Sequence, residues 1–244
     1  MKISIAQTRP VKGDINKNIE IHKSYIQIAI ENKSDFIIFP ELSLTGYEPD
    51  LARELATNQS DSRLDVFQDL SNSNKITICL GLPTKIENSI FISMIIFQPN
   101  KERITYSKQH LFPTEIEVFT KAHNPLILQL DEKNTIAPAI CYELSNPDHS
   151  ENAKNNNANI YIASVLNSFN GIEDDINKLS NIAYKHKMTV FMANYVGESG
   201  GYKCAGRSSI WNDNGELIKQ LDSVTEGILQ YNTETKSTEI FNYK

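Results

Sequence analysis

The sequence predicts an α/β fold in which helices cover β-sheets, on three observations. Short apolar or alternating runs recur along the whole chain, segments with apolar residues at helical spacing fall between them, and Asn214-Gly215 joins two of the runs. Interleaved strands and helices build helix-covered sheets. The Asn-Gly pair is a hairpin signal, which excludes a purely parallel sheet.

Taken in order, Lys2–Gln7 alternates apolar and polar residues and reads as a strand. Asp14 can cap a helix over 15–32, where Ile15, Ile19, Ile26, Ala29 and Ile30 share a face. The run Phe36-Ile37-Ile38-Phe39, ended by Pro40, reads as a buried strand. A helix over 60–72 precedes strands near 76–80, 89–97 and 103–107. Further strands are expected at 126–130, 135–141 and 160–164. One helix opens at Pro147, a favourable first-turn residue. Another spans 172–187, with Ile172, Ile176, Leu179 and Ala183 on one face. Strands near 189–193, 207–211, 217–220 and 226–231 complete the pattern.

No repeat, low-complexity tract or long linker divides the 244 residues, so residues 1–244 are expected to form one domain. A chain of this length can bury roughly 70–75% of its unfolded surface. Its net charge of −6, without any Lys/Arg cluster, argues against nucleic acid as a partner. No window reaches the apolar length of a membrane span, and the amino-terminal apolar run is too short for a secretory signal. Three widely spaced cysteines, Cys79, Cys141 and Cys204, fit a reducing compartment, so the cytoplasm is expected. No set of residues has metal-ligand spacing, and no cofactor is expected.

Three residues each follow or end an apolar, strand-like run: Glu41 after 36–40, Lys108 after 104–107 and Cys141 after 136–140. Strand ends are where a rigid scaffold presents side chains to a crevice, and the three converge if their strands are neighbours in the sheet. A free cysteine is usually a small buried hydrophobe. Cys141 differs in its surroundings, because a strand, a sharp turn and a Pro-initiated helix would expose its thiol beside a backbone N–H, the arrangement an acyl-transfer nucleophile needs. Cys79 and Cys204 lack that setting. A partly buried Glu41 would have a raised pKa and suit a general base. Lys108, otherwise a surface charge, would act as a fixed cation. None of His22, His110, His123, His149 and His186 has a setting that recommends it over Glu41 as the base.

The stretches 39–47, 106–113 and 140–143, in the order Glu, Lys, Cys, resemble the carbon–nitrogen hydrolase (nitrilase-like) family. Weaker echoes are Ala193-Asn194-Tyr195-Val196-Gly197 and Gly206-Arg207-Ser208-Ser209-Ile210-Trp211. The resemblance implies a four-layer αββα sandwich and carries the family's catalytic roles onto Glu41, Lys108 and Cys141. It places the family's second glutamate at Glu115, rather than the nearby Glu117, to orient the lysine and help hold substrate. It further implies cleavage of an amide or carbamoyl C–N bond of a small molecule, an amidase reaction through a cysteine thioester, and a homodimer or larger homo-oligomer. Nitrile hydrolysis and an inactive binding protein of the same fold are the alternatives. Tyr47, Phe112, Tyr142 and Glu143, beside the catalytic positions in sequence, are candidates to line the pocket. Two departures stand out: a glycine usual after the second glutamate is replaced near Ala122, and the carboxyl end is short where many members carry an assembly extension.

Overall fold

The computed structural model describes residues 1–243; of the span expected as one domain, Lys244 lies outside the described residues. The chain starts with β1 (Lys2–Gln7) and α1 (Ile15–Glu31). Asp14 caps α1 as expected, its side chain accepting from the Lys17 N–H at 2.9 Å. Residues 15, 18, 19, 22, 25, 26 and 29 form the buried stripe. It includes Asn18 and His22, two polar residues that matter below.

After β2 (Phe36–Ile38) and a long loop come α2 (Ala52–Leu55) and α3 (Asp65–Asn74). The expected helix over 60–72 is therefore a 3-10 turn at Ser62–Leu64 running into α3, which stops where Lys75 turns left-handed at φ 57°. Next come β3 (Thr77–Ile86), β4 (Ser89–Phe97) and β5 (Ile104–Ser107). β3 runs six residues beyond the expected 76–80, since Gly81 and Pro83, usual strand breakers, are held in the ladder opposite Met94 and Ile92.

The second half contains β6 (Leu128–Gln129), β7 (Thr135–Ile140), α4 (Pro147–Asn155), β8 (Ile160–Ser164), α5 (Ile172–His186) and β9 (Thr189–Ala193). Then follow β10 (Val196–Ser199), β11 (Tyr202–Ala205), β12 (Ser209–Trp211), β13 (Leu217–Gln220), β14 (Gly227–Asn232) and β15 (Thr238–Asn242). The Asn214-Gly215 turn joins β12 to β13 as expected, with Gly215 at φ 77°.

β10 and β11 form a separate two-stranded sheet; of the two large sheets, one has the order β15-β14-β1-β2-β3-β4-β5 and the other β13-β12-β9-β8-β7-β6. Each has a parallel centre, β1-β2-β3 or β7-β8-β9, flanked by antiparallel strands. The sheets face each other across Ile3, Ile5, Ile38, Ile92 and Met94 on one side and Ile136, Ile140, Ile162 and Phe191 on the other. Residues of α1 and α3 pack on the outer face of the first sheet. Residues of α4 and α5 pack on the outer face of the second. The result is a helix–sheet–sheet–helix sandwich. No described helix is long and apolar enough to cross a membrane.

Candidate active site

The three strand-end residues meet, although their strands are not neighbours in one sheet. β2 and β5 lie in the first sheet with β3 and β4 between them, and β7 lies in the second. Two features close the gap. The loop bearing Glu41 crosses the body of β3 at Gly81, where a Cβ would come within 2.3 Å of the Leu42 nitrogen. Lys108 then spans the remaining distance with its four-carbon arm.

The crossing is pinned from several directions. The Leu44 N–H donates to the Gly81 carbonyl at 2.9 Å, and the Gly81 N–H donates to Ser43 Oγ at 3.1 Å. His22 Nδ1 lies 2.7 Å from the Asn18 carbonyl, so it carries the proton, and Nε2 accepts from the Ser43 hydroxyl at 2.9 Å. Burial, only partly opposed by that carbonyl, brings the His22 pKa down to about 3, so the ring stays neutral. Tyr195 donates to the Glu41 carbonyl at 2.6 Å and Ser164 to the Phe39 carbonyl at 2.8 Å. The first of the two weaker sequence echoes thus braces Glu41.

Lys108 is fully buried, and its Nζ donates to Glu41 Oε1 at 2.6 Å and Glu115 Oε1 at 2.8 Å. Glu115 also accepts from the Tyr47 hydroxyl at 2.7 Å and from the Phe112 N–H at 2.7 Å, so both its oxygens are occupied. Glu117 is exposed. Glu41 differs, because its Oε2 is buried without a partner among the described residues. Burial pushes the Glu41 pKa up to about 7; the charge of Lys108 opposes the rise, and that of Glu115 adds to it. Burial disfavours the Lys108 ammonium, but the carboxylates of Glu41 and Glu115 outweigh it and hold its pKa above the ordinary lysine value.

Cys141 sits directly after β7, in the left-handed region at φ 44°, a backbone state that costs a non-glycine residue energy and clusters at functional sites. It opens a 3-10 turn, Cys141–Ser145. The sulfur lies 3.5 Å from the Leu166 carbonyl. Burial, with help from the negative Glu41 and against the pull of Lys108, lifts its pKa well above the normal thiol value. At rest the group is a neutral thiol.

Glu143, expected to line the pocket, instead turns back beneath the Cys141 turn and is wholly buried. The physical reason is capping: at the third position of the turn its carboxylate satisfies the Ile140 N–H at 2.6 Å. Its other oxygen accepts from the Gln109 N–H at 2.6 Å. One carboxylate therefore ties the residue after Lys108 to the residue before Cys141, across the two sheets. Tyr106 donates to it at 2.8 Å, His149 lies 2.9 Å from the Tyr106 oxygen, and Tyr161 lies 2.8 Å from the other His149 nitrogen. Glu143→Gln leaves one of the two backbone N–H groups facing an amide N–H. A buried donor without an acceptor costs about 1–3 kcal/mol, or roughly 2–12 °C in a chain of this size. Thermal denaturation followed by circular dichroism is expected to show that loss; an unchanged melting temperature would remove the clamp.

Glu41, Glu115 and Cys141 face a cavity of about 240 Å³, with Tyr47, Phe112 and Tyr142 in its wall. Sequence reading missed the rest of the lining, chiefly Asn167, Asp174, Asp175, Lys178 and Tyr202. Tyr202 comes from the β10–β11 hairpin, whose turn residues Gly200 and Gly201 both have positive φ, at 59° and 77°. That Gly-Gly pair is the signal that would have found it. The turn packs so closely on the loop after Glu41 that a Cβ on Gly200 would lie 2.4 Å from the Tyr47 carbonyl oxygen. Among the described residues no three His, Cys, Asp or Glu side chains form a metal-binding set.

Residues 2–239 match the family model for carbon-nitrogen hydrolases. A probable nitrilase of Schizosaccharomyces pombe is 27% identical over 245 residues, covering 96% of this chain and 89% of that protein. The protein named hydrolase in agr operon, from Staphylococcus aureus, is 26% identical over 229 residues, covering 91% of this chain and 87% of its own length. A solved variant of an amidase from Nesterenkonia sp. AN1, with acrylamide added at its active-site cysteine, superposes with a TM-score of 0.88. It shares 19% identity over 97% of this chain and 94% of that one, so this likeness is one of fold.

Proposed function

The chain belongs to the carbon–nitrogen hydrolase family, and from that premise we propose that it hydrolyses the C–N bond of a small amide through a thioester on Cys141. What supports this most is the single unpartnered oxygen of the site, Glu41 Oε2, buried in the same cavity as a protonated thiol. A carboxylate held near pKa 7 is matched to shuttling protons at neutral pH.

In the first step Glu41 takes the Cys141 proton as the sulfur attacks the amide carbonyl. The resulting oxyanion is met by Lys108 and by the Tyr142 N–H, which lies in the first turn of a 3-10 helix and has no intrahelical acceptor. One such donor is worth about 3–4 kcal/mol in other acyl-transfer sites. Protonated Glu41 then passes its proton to the departing nitrogen, the C–N bond breaks, and ammonia or an amine leaves. Water enters, Glu41 removes one of its protons, and hydroxide displaces the sulfur, which recovers the proton as the acid departs. Glu115 keeps Lys108 in place throughout, its own oxygens being fully engaged.

The base must be ionised, so kcat/KM is expected to fall about tenfold per pH unit below a midpoint near 7. The midpoint belongs to the Glu41–Cys141 pair. The measurement is ammonia release from matched short amides and nitriles between pH 5 and 9. Turnover of nitriles without amides, or a flat profile below pH 7, would overturn the proposal.

A further inference from the structure

The first turn of α5 carries three consecutive acids, Glu173, Asp174 and Asp175. Two have protein partners. Glu173 pairs with Arg207. Asp175 holds the Lys178 ammonium at 2.7 Å and the Asn167 amide at 2.6 Å. Asp174, solvent-exposed, lines the Cys141 cavity together with Asp175, but has no ion pair or side-chain hydrogen bond among the described residues.

The charges around that cavity otherwise cancel. Lys178 is matched by Asp175, and Lys108 by Glu115 when Glu41 is protonated. Asp174 is then the one charge left over; with Glu41 ionised the cavity is more negative still. Its wall also carries three partly exposed aromatic rings, Phe112, Tyr142 and Tyr202. Phe112 and Tyr142 meet edge to face at 5.3 Å, and Tyr202 lies 6.4 Å from the Tyr47 ring. Aromatic rings and an unpaired carboxylate lining one cavity suit an organic cation, and a carboxylate-bearing ligand would find no charge partner in Asp174.

From this we infer that the cavity selects amides whose far end carries a cation, an ammonium or guanidinium group, which sits against Asp174 while the carbonyl reaches Cys141. The inference rests on the thiol chemistry proposed above. The volume of about 240 Å³ limits the ligand to a short linker between the two ends.

The test reads Cys141 directly and needs no turnover. Three chloroacetamides with N-ethyl tails, bearing a trimethylammonium group, a hydroxyl or a carboxylate, are compared for their rates of Cys141 alkylation by mass spectrometry. Each rate is divided by that of the same reagent with 2-mercaptoethanol. The cationic reagent is expected to exceed the anionic one by about tenfold at low salt, and the ratio to shrink in high salt as exposed charges are screened. Asp174→Asn, with Asp174→Ser as a second neutral variant, is expected to bring the ratio close to one. Equal rates in the wild type, or faster labelling by the anionic reagent, would overturn the inference. So would a ratio unmoved in both variants, since Asp174 would then serve only the helix dipole of α5. Labelling of Cys141 no faster than that of Cys79 and Cys204 by any reagent would instead remove the thiol chemistry itself, and the selectivity with it.

Discussion

Cys141→Ala is expected to lower amide turnover by at least about 10⁴-fold, because loss of a covalent nucleophile leaves only binding and oxyanion stabilisation. The fold should survive. The thiol is a small group at the cavity wall, its one contact to a backbone acceptor is a weak 3.5 Å approach to Leu166, and alanine at φ 44° is no more strained than cysteine. Ammonia release alongside a thermal melt separates the two effects. A variant that kept activity within a hundredfold of wild type would mean that water attacks the substrate directly.

Lys108→Met is expected to damage both chemistry and stability. The oxyanion loses a donor, worth about 10²–10³ in kcat elsewhere. Glu41 Oε1 and Glu115 Oε1, which now share the ammonium at 2.6 and 2.8 Å, are left in a buried space without it. Removing one partner of a buried ion pair typically costs 3–5 kcal/mol. That cost depends on pH in a definite direction. Without the cation, the folded-state pKa of Glu41 rises beyond its present value of about 7, far above that of the unfolded chain. A carboxyl group raised in this way leaves stability intact at low pH and removes it as pH climbs through the raised value. The variant should therefore melt closer to wild type at pH 5.5 than at pH 8. An equal deficit at both pH values would mean that the two carboxylates do not depend on Lys108 for their charge.

The positions of Lys108 and Cys141 were legible because a reactive residue immediately after an apolar run marks a strand end, and β5 and β7 stop where the sequence says they should. Their meeting was not legible. It depends on two sheets facing each other and on a glycine at 81 that lets one loop cross a strand, and neither is a local property. Glu143 shows the same limit: adjacency to Cys141 suggested the pocket, but the turn directs its side chain inward. Asp174 and Tyr202 lie far along the chain from the three motifs, and only packing brings them to the cavity. β15 escaped notice because the residues of its strand face solvent in part and carry no apolar alternation.

The first sheet begins with β1 but cannot be finished until β14, which pairs with it residue for residue from Lys2–Asn232 to Gln7–Gly227. A chain still being synthesised thus holds every reactive group long before it can seal that open edge. A product cut short before β14 is left with β1 as an unpaired, aggregation-prone border.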